Sequence, residues 1–215
     1  MANDRIVWID LEMTGLDLET DEIVEIACIV TEADLTELDE GIEVVVKANP
    51  EPLAAMDEFV VNMHKTSGLI DEIPSGTTLA DAQRQVFAYI QKHVPEAGKA
   101  QLAGSSVYVD RGFLAKYLPE LDSYLHYRLI DVSSIKELTR RWYPRVYFGA
   151  PDKTGNHRAL ADIRESIAEL RYYRDAVFVA QPGPDSVAVK ALGQSHVVDH
   201  GAATHLDSGA GPVGC

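Results

Sequence analysis

Residues Arg5–Asp10 read RIVWID, and Leu11-Glu12-Met13-Thr14-Gly15-Leu16 follow directly. An apolar run rich in β-branched and aromatic side chains reads as a buried strand. It ends on two carboxylates, Asp10 and Glu12, two residues apart. Alternate residues of a strand share a face, so both acids project together. Thr14–Asp21 is turn-like, Glu22–Thr31 is a second apolar run, and Gly41–Lys47 (GIEVVVK) a third, the pattern of an antiparallel meander. Thr78–Val94 has its apolar residues at helical spacing, with Asp81 placed to close a cap on Thr78.

Beyond this the pattern alternates. Ala100–Val107 and Arg128–Val132 are expected as strands, Asp110–Leu118 as a short helix. Ser134 with Glu137 makes a capping box for a helix reaching Tyr143, and Arg158–Arg174 is a longer helix with Leu160, Ile163, Ile167 and Leu170 on one face. The expected fold class is α/β: a mixed five-stranded sheet flanked by helices. From residue 181 the composition turns to Gly, Ala, Pro, Ser and His, so residues 1–180 are expected to be the folded domain and 181–215 a disordered tail.

The chain carries 34 acidic against 19 basic residues, a net charge of −15, so it lacks the excess of cations that long nucleic acid demands. No apolar stretch is long enough for a membrane span, and the two cysteines, Cys28 and Cys215, form no disulfide framework. These features point to a cytoplasmic protein with no membrane partner and no long nucleic-acid partner.

Taken singly, the polar candidates are weak. Asp-x-Glu is often a pair of solvated turn acids. Asp110 is a favourable helix-start charge, and His157 with Asp162 could be surface residues. Oxygen donors such as these suit Mg²⁺ or Mn²⁺, which would also relieve their mutual repulsion. The acid alternation at Asp17–Asp21 lacks the Gly that a Ca²⁺ loop needs. His196, His200 and His205 lie in a Gly/Ala/Ser-rich setting that reads as filler.

Together, Asp10, Glu12, Asp110, His157 and Asp162 resemble the DEDD exonucleases, and the four residues between His157 and Asp162 match the DEDDh branch. WIDLEMTGL (Trp8–Leu16), MHKTSGL (Met63–Leu69), HYR (His126–Arg128) with Asp131-Val132-Ser133, KELTRRW (Lys136–Trp142) and ADIRESIAELRYYR (Ala161–Arg174) are similar to the oligoribonuclease family. That resemblance implies a ribonuclease H-like exonuclease fold and 3′→5′ hydrolysis of short RNA, two to about five nucleotides long, to nucleoside 5′-monophosphates. It assigns Asp10, Glu12, Asp110 and Asp162 to two divalent ions, Mg²⁺ or Mn²⁺, and His157 to general-base catalysis. It further implies that Leu16 and Phe59 clamp a base and that His64 contacts the substrate backbone. Ser106, Arg128 and Ser133 would hold a 5′ phosphate, and Tyr127 would reach a second copy in a homodimer. Ser105, Phe59 and Tyr108 depart from the usual family residues. The rival readings are a DEDDh deoxyribonuclease and a catalytically silent dinucleotide-binding module.

Overall fold

A computed structural model describes residues 4–152 and 157–197 of the protein. In chain order the elements are β1 (Ile6–Met13), β2 (Ile23–Thr31), β3 (Ile42–Val45), α1 (Pro50–Ala55), α2 (Glu58–Thr66), α3 (Leu69–Glu72), a 3₁₀ turn (Ile73–Ser75) and α4 (Leu79–His93). Next come β4 (Gln101–Gly104), α5 (Tyr108–Tyr117), α6 (Pro119–Tyr124), β5 (His126–Asp131), α7 (Val132–Trp142), α8 (Pro144–Phe148), α9 (Ala159–Val177) and α10 (Ser186–Ser195).

The sheet has five strands in the order β3-β2-β1-β4-β5. The expected meander is there, β1 antiparallel to β2 and β2 to β3, while β4 runs parallel to β1 and β5 parallel to β4. Parallel strands put their carboxyl ends at one edge, where α/β proteins build sites. Here that edge holds the end of β1, the Ser105-Ser106 turn after β4 and Asp131 at the end of β5.

The two-residue period of β1 divides its side chains between two cores. Val7, Ile9, Leu11 and Met13 pack with Val86 and Ile90 of α4 and Phe113 and Leu114 of α5. Ile6 and Trp8 face the other way, against Ile163, Ile167, Leu170 and Tyr173 of α9. The fully buried Trp8 donates its indole N–H to Thr31 Oγ1 at 3.1 Å, which satisfies a donor that burial would otherwise strand. Asp10 and Glu12 continue the Trp8 side of the strand. The same face that begins as apolar core beneath α9 therefore ends in carboxylates beneath the start of α9.

Two helix starts among the differences from the sequence expectations have a local cause. Helix α7 begins at Val132 with Asp131 as its N-cap, accepting the Ser133 N–H at 2.8 Å, rather than at a Ser134–Glu137 box. Asp131 wins because its carboxylate is the stronger acceptor and already terminates a strand. In the tail, Asp185 accepts the N–H groups of Val187 and Ala188 and opens helix α10 (Ser186–Ser195), so that stretch is not structureless. The chain divides into two units, Met1–Phe178 and Val179–Cys215; His200, His205 and Cys215 lie outside the described residues. Cys28 is buried in the sheet core.

Candidate active site

Asp10, Glu12 and Asp162 each offer a carboxylate oxygen, and these oxygens lie within 4.8 Å of one another. The strand pairing and the start of α9 bring the three together from positions far apart in sequence. Asp110, in the first turn of α5, joins them through the backbone: the Leu11 N–H donates to its Oδ1 at 3.0 Å. Helix α5 thus docks its acidic end onto β1 between the two strand carboxylates.

The electrostatics of this cluster are unfavourable in the protein alone. Burial, reinforced by Asp110, Glu12, Asp162 and Glu25, holds the Asp10 carboxyl well above the usual range. Glu12 is pushed up to about 8, first by burial and then by Asp162, Glu25 and Asp110, with Arg158 opposing. Asp110 rises to about 7, again by burial, against the lowering effect of the Leu11 N–H. Four acids that cannot all ionise at neutral pH, all with hard oxygen donors, are the donor set that divalent cations such as Mg²⁺ and Mn²⁺ take. The residues fit such ions.

The cluster forms one wall of a cavity of about 640 Å³, a size typical of small-ligand sites. His157 and Ser106 also line it, as do Leu16 and Phe59, which are 72% and 74% exposed. An aliphatic side chain and a ring standing open at a cavity mouth offer flat apolar contact. His157 is in the left-handed region, φ +48°, a conformation costing a non-glycine residue ~1–3 kcal/mol, so its neighbours must impose it. The Gly155-Asn156 pair before it lies outside the described residues.

The loop bearing Leu16 is held from below. Asp21 accepts from Thr14 Oγ1 at 2.8 Å and from the Asp17 N–H at 2.9 Å, and a Cβ on Gly15 would come within 2.4 Å of its Oδ2. Gly15→Ala should therefore cost about 1–3 kcal/mol, as overpacking does. An unchanged melting temperature would show that Asp21 can yield without loss.

Four expected residues lie away from the cavity lining. His64 is fully buried in α2, its Nε2–H donating to the Met13 carbonyl at 2.9 Å, with Nδ1 3.9 Å from Glu12 Oε2. It backs Glu12 instead of reaching open space, because its position on α2 faces β1. Ser133 stands apart but its Oγ is 3.1 Å from that of Ser106, and both backbone N–H groups donate to Asp131 Oδ1. Tyr127 is 73% exposed on β5 and lies beneath the Arg128 guanidinium, 5.5 Å from the ring centroid. Tyr108 is exposed and does not crowd Asp110.

Sequence reasoning passed over Asp131, which ties the two serines, and Ser166, whose Oγ meets Ser105 Oγ at 3.0 Å on the cavity wall. It also missed Glu25 and Arg158. A lone Glu in the apolar run IVEIACIVT was the available signal, since a buried charge needs a partner.

Residues 7–170 match a protein family described as exonuclease. An oligoribonuclease of Streptomyces avermitilis is 59% identical over 91% of this chain and 98% of its own length. One from Mycobacterium bovis is 52% identical over 97% of this chain and 98% of its own. Among solved structures, the zinc-bound complex of E. coli exonuclease I with single-stranded DNA aligns with a TM-score of 0.65 at 14% identity. That alignment takes in 81% of this chain but only 41% of the other, and its metal-free counterpart gives 0.62 at 15%. At that identity the likeness concerns the fold alone, the mixed sheet of the ribonuclease H-like exonucleases.

Proposed function

Because the chain belongs to the oligoribonuclease family of exonucleases, we propose that it is a 3′→5′ exoribonuclease that converts short RNA, above all dinucleotides, to nucleoside 5′-monophosphates. The observation that carries this reading is the convergence of Asp10, Glu12 and Asp162 oxygens within 4.8 Å on the wall of a cavity. Asp10, Glu12, Asp110 and Asp162 would hold two divalent ions, Mg²⁺ or Mn²⁺. Such ions supply charge neutralisation at a phosphodiester and lower the pKa of water in two-metal chemistry.

The chain's own residues do the rest. His157 accepts the proton of the attacking water, a task suited to an imidazole at the cavity edge. Leu16 and Phe59 hold a base between them without reading its identity, since every base has a π-face. His64 is assigned here to holding the Met13–Glu12 end of β1, from which it supports the substrate's 3′ side indirectly. Ser106, Ser133 and Arg128 receive the 5′ phosphate, the two serines through their hydroxyls and Arg128 through its planar fork. A 5′ phosphate capped at Ser106, on the wall of the cavity that holds the acids, leaves no path for a longer strand. Tyr127, exposed beside Arg128, is offered to the cavity of a second copy, which makes the enzyme a homodimer.

The acidic surface agrees with a short substrate and with no long nucleic-acid partner. No helix among the described residues is long and apolar enough to cross a membrane, and we assign the protein to the cytoplasm. The test is a series of 5′-labelled oligoribonucleotides of two to seven units with Mn²⁺, alongside a deoxy dinucleotide. The dinucleotide should disappear fastest, and Arg128→Ala should reduce its advantage over the heptamer by about tenfold, the loss of one charge-assisted phosphate contact. Equal rates for all lengths would rule out the 5′ cap. Preference for the deoxy substrate would favour a deoxyribonuclease.

A further inference from the structure

Outside the acid cluster, the densest network of charges in the described residues is built on Arg158, the residue after His157. Its guanidinium contacts three carboxylates from three elements. Nε and Nη2 reach Glu25 Oε1 of β2 at 3.0 and 2.8 Å, Nη1 and Nη2 reach Glu72 of α3 at 2.9 and 3.2 Å, and Nη2 reaches Glu43 of β3 at 3.3 Å. Two of the same carboxylates cap the first free N–H groups of α9. Ala159 N–H donates to Glu25 Oε2 at 2.9 Å, and Leu160 N–H to Glu43 Oε1 at 3.2 Å. The Arg158 carbonyl in turn accepts the Asp162 N–H at 3.0 Å. Glu25 is fully buried and lies directly across the sheet from Glu12, so the two share a face.

We propose that Arg158 and Glu25 are positioning residues that lock the His157–Asp162 end of the site onto the strand bearing Asp10 and Glu12. The proposal rests on the nuclease reading given above. Helix α9 carries Asp162, and the residue before its N-cap is His157. A bidentate guanidinium between two strands and α3 fixes the chain at the one residue that adjoins both. A buried Glu25 accepts a cation and an N–H at once, and so sets the height of α9 above the sheet. Outer partners of this kind hold ligating groups in place without touching substrate.

The experiment compares Arg158→Lys, Arg158→Met and Glu25→Gln with Arg164→Met. Arg164 also ties α9 to the β2–β3 connection, through the Glu40 carbonyl at 2.8 Å, but further from the acids. Two quantities are read: kcat and KM on a ribo-dinucleotide, and Mn²⁺ affinity by calorimetry without substrate. In Arg158→Met, kcat should fall about 10- to 100-fold and Mn²⁺ binding weaken about tenfold, the range seen for outer partners of metal ligands. KM should stay within about threefold, since the base and phosphate contacts are elsewhere. Arg158→Lys and Glu25→Gln should fall between, and Arg164→Met should keep both values. Should Arg158→Met fail to fold by circular dichroism, the two conservative variants carry the comparison. Full kcat and unchanged Mn²⁺ affinity in folded variants would reduce the network to an ion pair of stability alone and overturn the proposal. A wild-type protein that binds Mn²⁺ yet cuts no oligonucleotide would remove the nuclease reading, while the calorimetry would still decide the lock.

Discussion

Asp162→Asn lowers turnover of a ribo-dinucleotide by about 10³-fold or more and, in the same protein without metal, raises the melting temperature. The first effect follows from the loss of a charged oxygen donor where the transferring phosphoryl group must be neutralised, a site where single electrostatic contributions reach about 10²–10³. The second follows from the cluster itself. Asp162 is among the charges that raise both Asp10 and Glu12, so an uncharged isostere relieves repulsion among buried acids. A gain of about 1 kcal/mol corresponds to a rise of roughly 2–4 °C in a domain of this size. His157→Ala should share the loss of turnover without the gain in stability. A melting temperature that fell with Asp162→Asn would mean that Asp162 packs for structure, and the cluster would not be a frustrated one awaiting cations.

The metal-free protein should lose stability as pH rises from 5 to 9, and millimolar Mn²⁺ should remove most of that slope. The sign follows from linkage. In the unfolded chain these carboxyls lose their protons near pH 4, whereas in the fold Asp110 keeps its proton to about 7 and Glu12 to about 8, with Asp10 also raised. Between those limits the folded state binds more protons than the unfolded one, so stability falls with increasing pH. The contribution is complete below pH 4 and is lost as pH passes through 7 to 8. Cations that replace the protons make the folded state indifferent to their loss. Melting curves at four pH values, with EDTA or Mn²⁺, measure it. A flat or rising profile with EDTA would show that Asp10, Glu12 and Asp110 are solvated and independent.

Much of this was legible along the chain. The apolar run in RIVWID located β1, and the two-residue period of a strand predicted that Asp10 and Glu12 share a face, because that period is local and strict. The helical spacing around Leu79–His93 and Ala159–Val177 located α4 and α9 for the same reason. The short helices at Pro50–Ala55, Glu58–Thr66 and Pro144–Phe148 were not visible, since segments of this length take their stability from what they pack on.

What sequence determined here was chemistry in order: which strand ends in acids, which helix carries Asp162, and which histidine precedes it. What only the tertiary structure decided was distance and company. It placed His64 behind Glu12 and gave Asp131 two serine amides to hold, and it surrounded Arg158 with three carboxylates from 86 to 133 residues away. Local periodicity sets the face a side chain takes, but a contact between distant residues exists only once the sheet is paired and the helices have docked.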